Sequence, residues 1–246
     1  MIGFNLICIV IILCFVSIQF IEISSFFARY SGIFLGKKTL AYTLQNAVFM
    51  LTRFFTMALL PLLGLLIDLG IDKVSYLRMV SYSFIFSGII GVVIIWFRAY
   101  IISGFSSVLE NVGNGKSLFY NLLKLPLFIL SSKKLYIKSP NPISLVKSKI
   151  FWLSTIVFSI YALSVFMVFF LSLSFSDYRA SISQLSGVIN AFATVILTFI
   201  IEPKISIAID SDRRDKALDM IFSLIIGRVI GVGCLSQIII IFMVIL

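Results

Sequence analysis

Residues 39–68 read TLAYTLQNAVFMLTRFFTMALLPLLGLLID. A helix rises 1.5 Å per residue and the hydrocarbon core of a bilayer is about 30 Å thick, so roughly 20 apolar residues in succession cross it. This stretch is long and apolar enough to do so, yet it carries Arg53 at its centre. Arg53 lies thirteen residues after Leu40 and thirteen before Leu66, roughly 20 Å from either end. A side chain that deep does not easily snorkel to water, and an arginine at the bilayer centre costs about 2.5–3.5 kcal/mol on insertion scales. The charge therefore calls for compensation from within the protein. Asn46, seven residues earlier, shares its helical face. Pro61 and Gly64 follow, where a helix kinks or opens. A cation on a breakable membrane helix marks a substrate path; a structural ion pair is the alternative.

The rest of the composition agrees with a membrane setting. Of 246 residues, 61% are hydrophobic and 12% charged, against about 45–50% and 25% in soluble domains. Mean hydropathy is +1.15. The expectation is an all-α, polytopic helix bundle forming one integral membrane domain over 1–246. The net charge of +10 does not point to nucleic acid. Its basic residues sit between apolar spans, a pattern that sets membrane orientation and contacts anionic lipid. There is no histidine, and Cys8, Cys14 and Cys234 all fall in apolar spans, which excludes a disulfide framework or zinc site. The N-terminus lacks a basic n-region and a small-residue cleavage site, so Ile2 to Phe20 reads as a retained helix. Leu13 stands before Cys14 where lipidation needs a small residue.

Six spans are predicted, at about 2–27, 39–66, 80–97, 150–173, 184–201 and 220–246. Gln19 and Glu22 lie near the end of the first, with Arg29 one heptad further on, in the loop 29–38. Between the third and fourth spans, Leu118 to Leu130 is too short to cross and contains Pro126. It reads as an interfacial helix that turns Lys124 and the nearby Lys133, Lys134 and Lys138 toward headgroups; a re-entrant segment is the alternative. Asn190 sits inside the fifth span and Glu202-Pro203 at its end. Arg228 lies eight residues into the sixth, shallow enough to snorkel in part. Fifteen of the twenty lysines and arginines fall in loops 29–38, 98–149 and 202–219, and three in the other two loops. That bias places the former in the cytoplasm and both termini outside.

Ile85–Ile94 (IFSGIIGVVI) and Ile221–Ile230 (IFSLIIGRVI) share eight of ten residues. Asn46-Ala47 and Pro61–Asp68 are echoed by Asn190-Ala191 and Pro203–Asp210. With three spans per unit, such a repeat is inverted, a layout common in secondary transporters.

The chain carries no nucleotide-binding fingerprint, no metal cluster and no nucleophile–base set, so no nucleotide and no cofactor is expected. What remains is a group of polar residues in or beside spans: Glu22, Asn46, Arg53, Asn190, Glu202, Arg228 and Gln237. Two intramembrane arginines suit an anionic, phosphate-bearing substrate. The alternative is that they pair with Glu22 or Glu202 to fix the bundle.

Glu22, FFARYSGIFLGK (26–37) and QNAVFMLTRFFTMALLPLLGLLID (45–68) resemble the alternate lipid II flippase family, Amj. EPKISIAID (202–210) and GRVIGV (227–232) are similar to its C-terminal half. The resemblance covers roughly residues 20–70 and 200–235. It implies a bacterial plasma-membrane protein that moves an undecaprenyl-pyrophosphate-linked cell-wall precursor, a lipid-linked oligosaccharide, between leaflets without catalysing a reaction. The candidate substrate-binding residues, chosen from the chain itself, are Arg53, Asn46, Arg228, Glu22, Arg29 and Glu202. A membrane enzyme on polyprenyl phosphates and a structural membrane subunit are the rival readings.

Overall fold

A computed structural model of the chain describes residues 2–131 and 142–245, and among them every regular element is a helix. The first span, α1 (Ile2–Leu35), runs on past the predicted end at Phe27. Arg29 therefore lies inside a helix and not in a loop. Ile23, Phe26, Phe27, Ala28 and Tyr30 are all buried there, so packing carries the helix through its polar residues. Gly36 ends it, at φ +67°, with the Lys37 N–H donating to the Gly32 carbonyl at 2.9 Å, a left-handed glycine cap.

The second span comprises α2 (Lys38–Met50) and α3 (Thr52–Asp68). The interruption falls at Leu51, whose N–H reaches back only to Val48 O at 3.1 Å. It does not fall at Pro61, which α3 accommodates in its interior. Asp72 then caps α4 (Lys73–Trp96), accepting the Ser75 N–H at 2.9 Å. Hydrogen bonds from Ser75 hold the Asp72 carboxyl below its ordinary value. The third span thus begins at Lys73, earlier than Val80.

The connection to the fourth span holds more structure than the sequence predicts. It contains α5 (Arg98–Gly113), α6 (Leu118–Leu123), α7 (Leu125–Ser131) and α8 (Pro142–Lys147). α5 buries Ile101, Ile102, Phe105, Val108 and Leu109 and packs on α1, and α7 lies on α5, with Ile129 against Gly104. The single interfacial helix over Leu118–Leu130 is two short ones, parted at Lys124. Pro126 has no N–H to continue a helix through that point. Lys133, Lys134 and Lys138 lie outside the described residues.

The fourth span is α9 (Lys149–Ser172). After a 3₁₀ turn at Ser176–Tyr178 comes α10 (Arg179–Ile196), a π-helical turn at Leu197–Ile201, and α11 (Glu202–Asp210). Glu202 and Pro203 therefore sit within the fifth span and do not end it. The π turn reroutes backbone hydrogen bonds just where Pro203 offers no donor, so the helix passes through. The last span is α12 (Arg214–Ile230), a second π turn at Gly231–Leu235, and α13 (Ser236–Ile245). Among the described residues, six helical segments are long and apolar enough to cross a membrane.

α1 and α9 are the spans on which the others of each half pack. α1 carries α2, α3 and α4, while α9 carries α10 and α12. The two third spans cross where a Cβ added to Gly233 would lie 2.7 Å from Gly88 Cα, so that approach needs glycine. Each half packs its second and third spans on its first, which supports a 3+3 arrangement. The two similar strings, however, make different contacts. Gly91 faces Val229 of the other half, whereas Gly227 faces the Phe151 carbonyl and Ser154 of its own.

Candidate functional site

One face of α1 is set by Gln19, Glu22, Phe26 and Arg29, at helical spacing. Two buried arginines meet it. Arg228, from α12, pairs with the Glu22 carboxylate and donates from Nε and Nη2 to Gln19 Oε1 at 3.1 and 3.0 Å. Its guanidinium lies 4.4 Å from the Phe158 ring centroid. Arg29 Nη1 sits 2.7 Å from Glu202 Oε2 of α11, and the Arg29 guanidinium lies 4.3 Å from the centre of the Tyr42 ring. Four of the six candidate residues thus form two ion pairs that tie α1 to the last two spans, the structural alternative left open by the sequence. Arg228 does not snorkel: α12 starts at Arg214, before Met220, and the Arg228 side chain is buried and turned inward onto α1.

Arg53 behaves in the opposite way. The sequence requires compensation for it inside the protein. The structure leaves Arg53 exposed, and among the described residues no ion pair to it is present. Tyr42, Asn46, Arg53, Leu60 and Gly64 share one face of the second span, at spacings of four, seven, seven and four residues. That face touches its own half at one end and the other half at the other. At one end Tyr42 covers Arg29, and at the other a Cβ on Gly64 would lie 4.0 Å from Phe169 of α9. Between those contacts Asn46 and Arg53 are uncovered.

α10, in the fifth span, packs on α9. Asn190 Oδ1 accepts from Ser164 Oγ at 2.6 Å, and the hydroxyls of Thr194 and Tyr161 are 2.6 Å apart, so α10 is hydrogen-bonded to α9 at membrane depth. Beside this seam runs a stripe of small exposed residues, Gly187, Ala191, Thr194 and Thr198. Large apolar residues such as Val188, Phe192, Val195 and Phe199 occupy the side suited to lipid.

The second and fifth spans are tied to each other at both ends. Arg179 Nη1 is 3.0 Å from Asp68 Oδ1, and Lys38 pairs with Asp212. The hydrogen bond and charge of Lys38 hold the Asp212 carboxyl below its ordinary value. That tie is therefore lost, as pH falls, at a lower pH than that at which a free aspartate protonates. The second and fifth spans are thus tied near both ends, with Asn46 and Arg53 exposed on the second span between the ties, beside the exposed apolar side chains Met50, Phe54 and Met57. Arg53, Glu22 and Arg228 lie fifteen, thirteen and fourteen residues from Lys38, Leu35 and Arg214, roughly 20 Å along each helix axis. Sequence reasoning missed both end ties. Asp68 and Arg179 are 111 positions apart, and nothing within a single chain signals such a pair.

A family model described as Amj, Alternate to MurJ, matches residues 14–245. The chain belongs to the Amj family. It is similar to the protein named Lipid II flippase Amj of Bacillus subtilis (strain 168), with 25% identity over 219 residues, covering 83% of this chain and 81% of the relative. No solved structure matches it. Family membership and the six spans together make it a multi-pass membrane protein.

Proposed function

We propose that this chain is a flippase in the bacterial plasma membrane. It moves a polyprenyl-diphosphate-linked cell-wall precursor, lipid II or a related lipid-linked oligosaccharide, from the inner to the outer leaflet. The observation that carries the reading is a guanidinium, Arg53, exposed near the centre of a helix long enough to span, in no ion pair among the described residues, on a span tied to the fifth near both ends. A guanidinium presents two parallel donors to a phosphate, and its charge offsets the cost of bringing a diphosphate to that depth. Asn46 adds a polar contact on the same face. The prenyl chain stays in lipid while the glycan passes between the second and fifth spans. The ion pairs Arg29–Glu202 and Arg228–Glu22 form the fixed base, and the exposed ties Lys38–Asp212 and Asp68–Arg179 are the parts that open, one at a time. The family relative's name supports the substrate class.

The test uses purified protein in liposomes carrying a precursor labelled on its glycan, with an impermeant quencher outside. Growth of the quenchable fraction without a new product is the expected result. A new product would mean an enzyme, and an unchanged distribution a structural subunit.

The basic loops set the orientation, with the Lys38–Asp212 end cytoplasmic and both termini outside. With the native cysteines replaced, Ser211→Cys should resist an impermeant thiol reagent in intact cells and Ala180→Cys should react; the reverse pattern would invert the topology.

The outer tie gives a smaller effect. Exposed ion pairs contribute about 0.2–1 kcal/mol, so Asp68→Arg should change the transport rate only about two- to fivefold. The exchange Asp68→Arg/Arg179→Asp should return it toward the parent value. Loss of function in both variants alike would remove this pair from the gating scheme.

A further inference from the structure

Where α11 turns into α12, a cavity of about 270 Å³ is lined by Lys204, Ser211, Arg213 and Lys216 over the apolar side chains Ile207 and Met220. The three cations are exposed, and none is in an ion pair among the described residues. The neighbouring acids are turned elsewhere: Glu202 is held by Arg29 and Asp212 by Lys38. Asp210 and Asp215 are not among the lining residues. The hollow therefore concentrates positive charge although the segment around it is mixed. α12 begins at Arg214 with its axis starting beside the cavity, which adds the positive end of a 17-residue helix. Ile207 is 67% exposed and continues the apolar side of the cavity along the lipid-facing flank of α11.

We infer that this cavity binds the phosphate of a membrane lipid, with the cations and the Ser211 hydroxyl on the headgroup and the chain laid along Ile207. The chemistry is a lipid phosphate at the interface. Its source is either a bulk anionic phospholipid or the diphosphate of a prenyl lipid waiting to pass between the second and fifth spans. The position favours an effect on entry, because Ser211 and Arg213 flank Asp212, the acid of the cytoplasmic tie. The inference rests on the membrane placement and does not require that the protein be a flippase.

Native mass spectrometry of the full chain released from detergent tests it, with phosphatidylglycerol, farnesyl diphosphate and uncharged dioleoylglycerol as probes. The variant is Lys204→Gln/Arg213→Gln/Lys216→Gln. Lys73→Gln/Arg78→Gln, which removes exposed cations at the opposite end, is the control. Each interfacial cation contributes about fivefold to binding an anionic lipid, so the triple variant should retain the phosphate-bearing probe on the order of a hundredfold less well, and the control should retain it as the parent does. Lys204→Arg/Lys216→Arg should bind normally, which separates lost charge from misfolding. Selective loss of phosphatidylglycerol assigns the site to bulk lipid; selective loss of the diphosphate assigns it to entry of the transported lipid. Equal retention by parent and triple variant, or equal retention of dioleoylglycerol and the phosphate probes by the parent, would overturn the site. Transport activity is not the readout, so failure here leaves the flippase reading standing, and the converse holds too.

Discussion

Arg53→Leu is expected to abolish transport while leaving the protein in the membrane at its normal level. The guanidinium is exposed and unpaired, so its removal strands no carboxylate and leaves no cavity in the packed bundle. The apolar replacement also relieves the insertion cost of a charge at mid-depth, about 2.5–3.5 kcal/mol on insertion scales, so abundance should hold or rise. What is lost is the group that receives the diphosphate. A charge-assisted contact to phosphate is worth about 1.5–3 kcal/mol, which means a fall of roughly ten- to a hundredfold in the transport rate. Arg53→Lys keeps the charge and loses the paired donors, and should retain part of the activity. Asn46→Leu, one heptad away, should weaken transport less. Complementation in a strain lacking its other precursor flippases, with protein level measured in parallel, reads all three. Normal growth with Arg53→Leu at normal abundance would remove Arg53 from the substrate path, though the transport function would survive that result.

Arg53 also shows how far a single chain can be read. Length and hydropathy were enough for six helical spans, because each must satisfy its own backbone in lipid and so declares itself locally. The ends of those spans were not legible. The helix through Arg29 and the one through Glu202 are joined by an ion pair between those residues, and that pairing exists only after the fold has formed. The helix α5 was hidden for a similar reason: its apolar face is covered by α1 and α7, and in sequence it looked like loop. The rank order of the two deep arginines came out reversed. Arg53 stands at the centre of its span and was expected inside; Arg228 was expected to reach water. Depth along a helix is visible in sequence, but which face a residue presents depends on neighbours from distant segments. Here Arg53 is left exposed, and the face of Arg228 closes on α1 and α9.

That contrast sets the second large effect, in the opposite direction. Arg228→Leu should destabilise the bundle severely and reduce its level in the membrane. The substitution deletes the partner of Glu22, whose carboxylate is only 13% exposed, and takes two hydrogen bonds from Gln19 and the stacking on Phe158 with it. Removing one member of a buried pair typically costs about 3–5 kcal/mol, because the remaining charge is left without compensation. Glu22→Gln should cost less than Arg228→Leu, since the amide still accepts from the guanidinium. The decisive variant is Glu22→Leu/Arg228→Leu. Replacing both charges with apolar groups of similar volume is often neutral or stabilising, so the double variant should recover most of the abundance and thermal stability that Arg228→Leu loses. Unfolding midpoints in detergent, read beside membrane level, measure this directly. Recovery in the double variant together with intact transport would establish Arg228 as scaffold. Recovery of the fold with transport still lost would bring the pair into the transport path.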